Sequence, residues 1–384
     1  MSNCFTFKPN VVFFSGLLLP PSETFIRAQG EGLQQFTPYY VGSRLVKGLS
    51  LPSERTLVVN RGGFLGAAQE GFFKLLGSAP RLYKQVQQLN PVLIHAHFGL
   101  NGSLALPLAR ILKLPMVVTF HGSDATKKDE YVPWSSISHQ IYFRRREALK
   151  REARLFIAVS EFIKTKLVEQ GFPADKIVVH HIGVDIEVFQ PDQAVQRSPV
   201  VLFVGRLAEK KGCQYLIQAM AQVQAQMPDV ELVIIGDGPL RLQLEHLAAS
   251  SLKRYQFLGL QPPQVVKSWM NRSLMLAAPS VTASTGDSEG LPTVVVEAQA
   301  MGLPVVGSVH AGIPQAVVHG ETGFLAVERD WTSLAEHILR LLKDPILWQS
   351  FSCNGQQRVR NLFDLRKQNQ ALEDIYEAVL RQEV

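Results

Sequence analysis

Short apolar runs alternate with amphipathic stretches along the whole chain. Nine runs read as buried strands, at residues 11–14, 92–95, 116–119, 155–159, 200–204, 231–235, 256–258, 274–277 and 305–307. Helical periodicity lies between them, as at residues 23–33, 212–226 and 333–343. Apolar strands joined by helices are typical of right-handed βαβ units. The pattern therefore predicts an α/β protein with doubly wound parallel sheets.

A polar, proline-punctuated segment interrupts this alternation near the middle of the chain. Residues 189–199 show no periodicity, and Pro191 and Pro199 lie within them. Such a segment is typical of a linker. We predict a first Rossmann-like domain at residues 1–190, a linker at 191–199, and a second Rossmann-like domain at 200–364, with a cleft between the two. The last helical pattern, 365–384, has no strand after it.

Composition agrees with two well-packed domains. The chain has 384 residues, of which 46% are hydrophobic, enough for two cores of ordinary size. The three cysteines, Cys4, Cys213 and Cys353, have no C-x-x-C spacing, which argues against a disulfide framework and a zinc site. The first ten residues lack the pattern of a signal peptide, and no apolar run reaches the length of a membrane span. We expect a cytoplasmic protein.

The excess positive charge lies in the first half of the chain. Residues 1–196 carry 22 basic and 15 acidic residues, whereas residues 197–384 carry 17 and 18. The densest basic segment is 144–152. Two interpretations stay open, a solvated helix face and a surface attracted to anionic lipid headgroups. No nucleic-acid-binding fold or basic–aromatic interleaving is present, so nucleic acid is not an expected partner.

Two glutamates lie eight positions apart, Glu289 and Glu297, with Gly290 and Pro292 between them. Pro292 suits the first turn of a helix, which places Glu289 in the preceding loop and Glu297 on the helix. Backbone amides at a helix start favour a phosphate, and neighbouring carboxylates accept hydrogen bonds from hydroxyl groups. A nucleotide sugar carries both groups. The simpler interpretation, an acid that suits the helix dipole, explains Glu289 better than Glu297.

Other polar residues follow predicted strands, where open α/β sheets bind ligands. Arg206 and Lys211 follow the run 200–204 and would stabilise an anionic leaving group; surface charge is the alternative. His121 follows the run 116–119, and His97 lies two positions after His95, on the same face if the strand continues. A structural histidine is the alternative for both. The glycine patterns near Gly63 and Gly236 lack the full G-x-G-x-x-G spacing, which argues against a nicotinamide or flavin enzyme.

These features together resemble a known enzyme family. The stretch 288–303 resembles the E-x7-E element of the family 4 retaining glycosyltransferases, which have the GT-B fold. The resemblance covers nearly the whole chain and is strongest at residues 200–327. Two motifs resemble the bacterial exopolysaccharide branch, including colanic-acid and amylovoran-type transferases: Gly286-Asp287-Ser288-Glu289-Gly290-Leu291-Pro292 and Ser22-Glu23-Thr24-Phe25-Ile26.

The resemblance implies roles for individual residues. In the second domain, Arg206 and Lys211 would hold the diphosphate, Glu297 the ribose and Glu289 the donor sugar. In the first domain, His121 would lie near the reacting carbon. The resemblance also implies that the last helix crosses back onto the first domain. Residues expected to line the donor site, mostly through the main chain, are Gly236, Gly238, Gly259, Leu260, Gly290, Leu291 and Thr293, with Gly16, in the first strand–helix loop, and His97 from the first domain.

The function implied is a metal-independent retaining hexosyltransferase that needs no cofactor. It would move a hexose from a UDP- or GDP-sugar to a saccharide acceptor, such as a polyprenyl-diphosphate-linked saccharide, in exopolysaccharide or cell-surface glycan synthesis. Peripheral association with the inner face of the plasma membrane is a further expectation. A nucleotide-sugar 2-epimerase of the same architecture is the alternative enzyme, and a noncatalytic nucleotide-sugar-binding module is the third hypothesis.

Overall fold

The chain forms two compact units. A computed structural model describes residues 8–131 and 137–383. The first unit comprises Met1–Gly183 with Leu365–Val384, and the second comprises Val184–Asp364. Cys4 lies outside the described residues, while Cys213 and Cys353 are free thiols. None of the helices in the described ranges is long and apolar enough to cross a membrane.

The first unit is built on a seven-stranded sheet of order β3-β2-β1-β4-β5-β6-β7, and all its pairings are parallel. Its strands are β1 (Asn10–Leu18), β2 (Thr37–Leu45), β3 (Thr56–Asn60), β4 (Pro91–His97), β5 (Met116–Phe120), β6 (Leu155–Ala158) and β7 (Ile177–Val179). Its helices are α1 (Thr24–Glu31), α2 (Gly63–Leu76), α3 (Pro80–Gln88), α4 (Gly99–Leu112), α5 (Ser123–Thr126), α6 (Ile137–Glu152) and α7 (Glu161–Glu169). The central strands are mostly apolar because both faces of the sheet are covered.

The second unit has a six-stranded parallel sheet of order β10-β9-β8-β11-β12-β13. Its strands are β8 (Val200–Val204), β9 (Glu231–Ile235), β10 (Tyr255–Gly259), β11 (Met275–Ala278), β12 (Val305–Ser308) and β13 (Gly323–Ala326). Its helices are α8 (Cys213–Gln226), α9 (Arg241–Ser251), α10 (Pro263–Arg272), α11 (Thr293–Ala300), α12 (Ile313–Ala316), α13 (Trp331–Lys343) and α14 (Pro345–Leu362). The predicted α/β class with two parallel sheets is confirmed.

The C-terminal helix, Leu365–Arg381, belongs to the first unit, as predicted. The Tyr376 side chain is fully buried, and its hydroxyl lies 2.5 Å from His95 Nδ1. Glu373 Oε1 accepts hydrogen bonds from the backbone amides of Gln34 and Gln35, at 2.7 and 2.6 Å. One aromatic side chain and one carboxylate therefore fasten the helix to the first sheet and to the end of α1.

The segment 191–199, predicted as a linker, lies within the second unit. The Asp192 amide donates to Asn271 Oδ1 at 3.0 Å. The Arg197 guanidinium donates to the carbonyls of Met270 and Ser273, both at 2.8 Å. These hydrogen bonds hold a polar, aperiodic segment against α10, which periodicity alone does not reveal.

The strand β1 is longer than predicted. It runs from Asn10 to Leu18 rather than ending near residue 14, because its pairing with β2 continues to Leu18. Gly16 therefore lies inside the strand, and its predicted place in the following loop is wrong. Its amide donates to Asn101 Oδ1 at 3.0 Å, and a Cβ on Gly16 would lie 2.8 Å from that same oxygen. Close packing against α4 explains this glycine.

Candidate active site

The second sheet reverses its strand order between β8 and β11, and the polar residues predicted to bind the donor follow β8 or β11 in the chain. Such switch points are where open α/β sheets bind ligands. The loops after β8 and β9 approach each other so closely that only glycine fits at two positions. A Cβ on Gly236 would lie 1.9 Å from the Gly205 carbonyl oxygen, and one on Gly238 would lie 2.4 Å from the Leu207 carbonyl oxygen. Backbone packing accounts for both glycines, and their contact with a nucleotide stays a prediction.

A buried ion pair lies after β8. Lys211 Nζ is 2.9 Å from Glu289 Oε1, and Glu289 is 7% exposed. Burial opposes ionisation of Glu289, but the nearby Lys211 and Lys210 outweigh it and lower the pKa of Glu289 to about 2. Glu289 is therefore ionised at neutral pH. Two residues predicted to act at the donor are thus in direct contact.

Further contacts fasten the loop before α11 to the 3₁₀ helix Glu209–Lys211. Lys210 Nζ lies 3.0 Å from Asp287 Oδ1. Glu209 accepts hydrogen bonds from both the amide and the hydroxyl of Ser284, each at 2.8 Å. The loop that carries Glu289 is therefore held along its length by the segment that carries Lys211.

Glu297 lies on α11 and is partly buried. Burial raises the pKa of Glu297 to about 7, although a hydrogen bond with the Thr293 side chain favours the ionised form. Its carboxyl therefore changes charge near neutral pH. Helix α11 begins at Thr293, so Pro292 precedes the first turn rather than lying within it, with φ −69° and ψ 112°.

The other residues predicted at the donor site divide into exposed and buried ones. Arg206 is exposed and forms no ion pair with any residue that the structure describes. Leu260 is exposed too, next to Gly259, whose φ of 66° is left-handed. Gly290 and Leu291 are buried in the loop that precedes α11.

His310 contacts the loop of Glu289 and was missed in the sequence analysis. It is 2% exposed, and its Nε2 accepts the backbone amide of Glu289 at 3.2 Å. Since Nε2 must keep a lone pair for this bond, the ring proton lies on Nδ1, which is 2.5 Å from Glu328 Oε1. The Thr282 amide also donates to Glu328, at 2.9 Å. This series of hydrogen bonds positions Glu289. The sequence signal for His310 is a histidine just past an apolar strand, as it is for His121.

The first unit gathers histidines at the carboxyl ends of β4 and β5. His95 and His97 share one face of β4, as predicted, with ring centroids 4.2 Å apart. His97 Nδ1 lies 3.3 Å from His121 Nε2, and these two rings are stacked with centroids 5.5 Å apart. His97 was predicted to bind substrate directly. Its side chain is fully buried and contacts His121, and a role for His97 at the substrate stays a prediction.

The protonation of this pair is coupled. Burial lowers the pKa of His121 to about 3 and that of His97 well below its ordinary value, so both rings are neutral. One ring must donate to the other across the 3.3 Å contact. The two outer nitrogens, His97 Nε2 and His121 Nδ1, are buried and have no hydrogen-bond partner within residues 8–131 and 137–383. One of them carries a proton and the other a lone pair, and His97 thereby sets the tautomer of His121.

Asp124 holds the loop that carries His121. Its carboxylate accepts the backbone amides of His121 at 3.1 Å, Gly122 at 2.9 Å and Gly99 at 2.9 Å. Burial raises the pKa of Asp124, and these hydrogen bonds counteract the rise only in part. Asp124 thus caps the turn that precedes it and the start of α4.

Two further features lie beside His121. Phe98 has φ 71° and ψ 137°, a strained conformation for a bulky residue, and its ring centroid is 4.6 Å from that of His121. The Phe25 ring packs against His121 from another side at 4.9 Å. Glu23, two residues earlier, has a buried oxygen with no partner in the described part of the chain, and burial raises its pKa to about 7. Strain and unpaired polar atoms are typical of functional sites.

Two family models match the chain. The model described as "Glycosyl transferases group 1" matches residues 185–358, and "Glycosyltransferase Family 4" matches residues 43–188. The first match contains Arg206, Lys211, Glu289 and Glu297. The second contains His121.

Curated proteins are similar over longer stretches. The chain is 35% identical to the amylovoran biosynthesis glycosyltransferase AmsK of Erwinia amylovora over 251 residues, which is 64% of this chain and 60% of AmsK. It is 30% identical over 295 residues to WcaL of Salmonella typhimurium, named as a colanic acid biosynthesis glycosyltransferase, covering 74% of this chain and 70% of WcaL. The chain belongs to the family 4 glycosyltransferases. The resemblance to the exopolysaccharide branch is confirmed.

Solved structures confirm the GT-B fold of this glycosyltransferase. Anabaena HepE, solved in complex with UDP and glucose, has a TM-score of 0.75 at 22% identity and covers 96% of this chain and 100% of its own. The sucrose-phosphate synthase of Thermosynechococcus elongatus has a TM-score of 0.79 at 21% identity, covering 97% and 100%.

The glycosyltransferase offers no obvious metal ligand set in the part of the chain that the structure describes. Within residues 8–131 and 137–383, no three His, Cys, Asp or Glu side chains group as metal ligands. The histidines of the first unit contact one another but form no ligand cluster with carboxylates in the described residues. Metal independence stays a prediction that a chelator tests directly.

Proposed function

We propose that this glycosyltransferase moves a hexose from a UDP- or GDP-sugar to a saccharide acceptor, with retention of anomeric configuration and without a metal ion. The observation that carries the proposal is the pair of Lys211 and Glu289, 2.9 Å apart, which joins the loop after β8 to the loop before α11. A cation held beside a donor-sugar carboxylate suits a reaction in which negative charge grows on a departing phosphate.

Lys211 and Arg206 supply the charge that a metal supplies in other transferases. As the glycosidic bond to phosphate breaks, the outer phosphate gains negative charge, and fixed cations stabilise it. Lys211 is already ordered by Glu289, so little reorganisation is needed. The exposed Arg206 adds a second cation at the end of the same strand. Amides at the start of α11, near Thr293, favour the same phosphate.

Glu297 and the histidine pair take the other parts of the reaction. The ionised Glu297 accepts hydrogen bonds from both ribose hydroxyls. Glu289 accepts from hydroxyls of the donor sugar. His121, neutral and held by Asp124, is the first-unit residue assigned a place near the reacting carbon. No residue is assigned as a covalent nucleophile, so the proposed route is front-face substitution, in which the departing phosphate takes the acceptor proton.

Relatives support the nucleotide and the pathway. HepE was solved with UDP-glucose, and AmsK and WcaL are named for amylovoran and colanic acid biosynthesis. We therefore propose a lipid-linked saccharide acceptor, a role in exopolysaccharide synthesis and a peripheral place at the inner face of the plasma membrane. The whole-chain activity, acceptor and location are all part of the proposal.

The direct test is nucleotide release with a chelator present. The purified chain is incubated with UDP- and GDP-hexoses, saccharide acceptors and EDTA, and the freed nucleotide is measured. We expect one donor to be consumed, with product of the same anomeric configuration by NMR. Lys211→Met should abolish release, whereas Lys253→Met, an exposed lysine in the same unit, should not.

The same panel separates the alternatives. Conversion of the donor to its 2-epimer without an acceptor would indicate the epimerase. Donor binding without nucleotide release under any condition would indicate a binding module. Activity that disappears with EDTA and returns with a divalent ion would contradict the metal-independent route.

A further inference from the structure

Helix α2 presents its apolar side chains to the outside of the molecule. Phe64 is 92% exposed and Leu65 is 71% exposed. Along the helix, at spacings that place them on one stripe, lie further exposed apolar side chains: Phe72, Leu75 and Leu76. Exposed apolar patches of this kind mark interaction sites.

The inward face of the same helix is partly polar. Glu70 is 7% exposed, and Lys74 Nζ lies 2.6 Å from its carboxylate. Asn60 donates to it as well, at 2.8 Å. The inward face thus carries a salt bridge beside the buried Phe73, while a second apolar stripe faces outward, which is unusual for a surface helix.

Basic residues surround the apolar stripe. Residues 61–88 contain four basic side chains, Arg61, Lys74, Arg81 and Lys84, and the single acid Glu70. Because Glu70 is buried and paired, the exposed charge around the stripe is positive. An apolar face flanked by cations complements a surface of anionic lipids.

A cavity of about 250 Å³ lies beside the stripe. Its lining residues include Phe72 and Leu82 together with Arg61 and Arg81. An aromatic ring suits the acyl chain of a phospholipid, and two cations suit its phosphate. The cavity lining therefore fits a phospholipid.

The segment 144–152, where the sequence places the densest positive charge, fits lipid less well. Three of its five basic side chains form ion pairs: Arg146 with Asp129 at 2.6 Å, Lys150 with Glu147 at 2.7 Å and Arg151 with Glu152 at 2.9 Å. Much of its charge is therefore neutralised within the protein.

We propose that α2 lies on an anionic bilayer surface with its apolar stripe among the acyl chains and its flanking cations at the headgroups. The helix has 14 residues, fewer than the roughly 20 needed to span a bilayer, so it lies in the surface plane. The purpose of this contact, access to a lipid-linked acceptor, rests on the proposed function; the contact itself does not.

Vesicle co-sedimentation of the full chain tests the contact. We expect binding to vesicles of phosphatidylglycerol with phosphatidylethanolamine, and much weaker binding to phosphatidylcholine alone. The double variant Phe64→Glu, Phe72→Glu should lose at least about ten-fold in affinity. Arg61→Gln with Arg81→Gln should lose about ten-fold as well, mostly at low salt. The matched control is Ile346→Glu, an apolar residue 84% exposed on α14, which should bind as the wild type does.

Two outcomes would overturn the proposal. The first is equal vesicle binding by wild type and the Phe64, Phe72 variant, with folding of both confirmed by circular dichroism. The second is a wild-type dimer by light scattering that this variant converts to monomer, which would make a second copy the occupant. Nucleotide release with a water-soluble acceptor should be unchanged in the α2 variants. Failure of the proposed function would remove that release in the wild type and leave vesicle binding intact.

Discussion

Donor binding should weaken as the pH falls through 7, because Glu297 must be ionised to accept two ribose hydrogen bonds. Burial holds the pKa of this carboxyl at about 7. The fraction of ionised Glu297 then falls about ten-fold between pH 8 and pH 6, and the dissociation constant for the nucleotide sugar should rise by the same factor. A nucleotide sugar is the better probe than a nucleoside diphosphate, whose terminal phosphate titrates near pH 6.

The assay is calorimetric titration of the donor from pH 5.5 to pH 8.5, with wild type and Glu297→Gln. We expect the variant to bind weakly and with no step near pH 7. Binding by the wild type that does not depend on pH, or full affinity in Glu297→Gln, would refute the ribose assignment.

Glu297→Gln should weaken donor binding but increase the free energy of unfolding relative to wild type. The pKa of Glu297 rises on folding from 4.5 to about 7, so the folded state holds the proton more tightly than the unfolded chain. The resulting stabilisation is complete below pH 4.5 and is lost as the pH rises through 7, a change of at most roughly 3 kcal/mol. Glu297→Gln removes this dependence, so its advantage over wild type in urea denaturation should grow between pH 4 and pH 8. An advantage that does not vary with pH would show that the carboxyl is not held neutral by burial.

Three further predictions concern the second unit. Lys211→Met leaves Glu289 charged, buried and unpaired and should cost about 3 kcal/mol of unfolding free energy, most of which Glu289→Gln should restore in the double variant; a neutral single variant would contradict the pairing. His310→Phe removes the acceptor for the Glu289 amide and should lower turnover about ten-fold, with a smaller loss in His310→Gln, which can accept that bond; equal turnover in the two would argue against positioning. Ala311, at φ 49°, is strained, so Ala311→Gly should add about 1 kcal/mol to the unfolding free energy and raise the melting temperature. The control Ala225→Gly in α8 should lower the melting temperature. A lower melting temperature for Ala311→Gly would contradict the strain.

Strand prediction succeeded where both faces of the sheet are covered. The nine predicted runs all correspond to strands, and two of them, β8 and β9, have the predicted bounds. Four strands were missed, β2, β3, β7 and β13, of which the last three are sheet edges. The missed edge strands β7 and β13 have only three and four residues, too few for an apolar run to stand out from a loop.

The candidate site was only partly visible in the sequence. The carboxyl-end rule predicts that Lys211 and Glu289 lie near one another, but not that they form a buried ion pair. Neither the bond from the Glu289 amide to His310 nor that from Gly16 to Asn101, 85 positions away, follows from spacing. Such contacts arise from packing between distant segments, which local periodicity does not encode.

A crystal structure with the nucleoside diphosphate bound tests the central claim most directly. We expect the outer phosphate within hydrogen-bond distance of Lys211 and Arg206, and the ribose hydroxyls on Glu297. A diphosphate bound away from β8, or a ribose that leaves Glu297 without contact, would contradict the account.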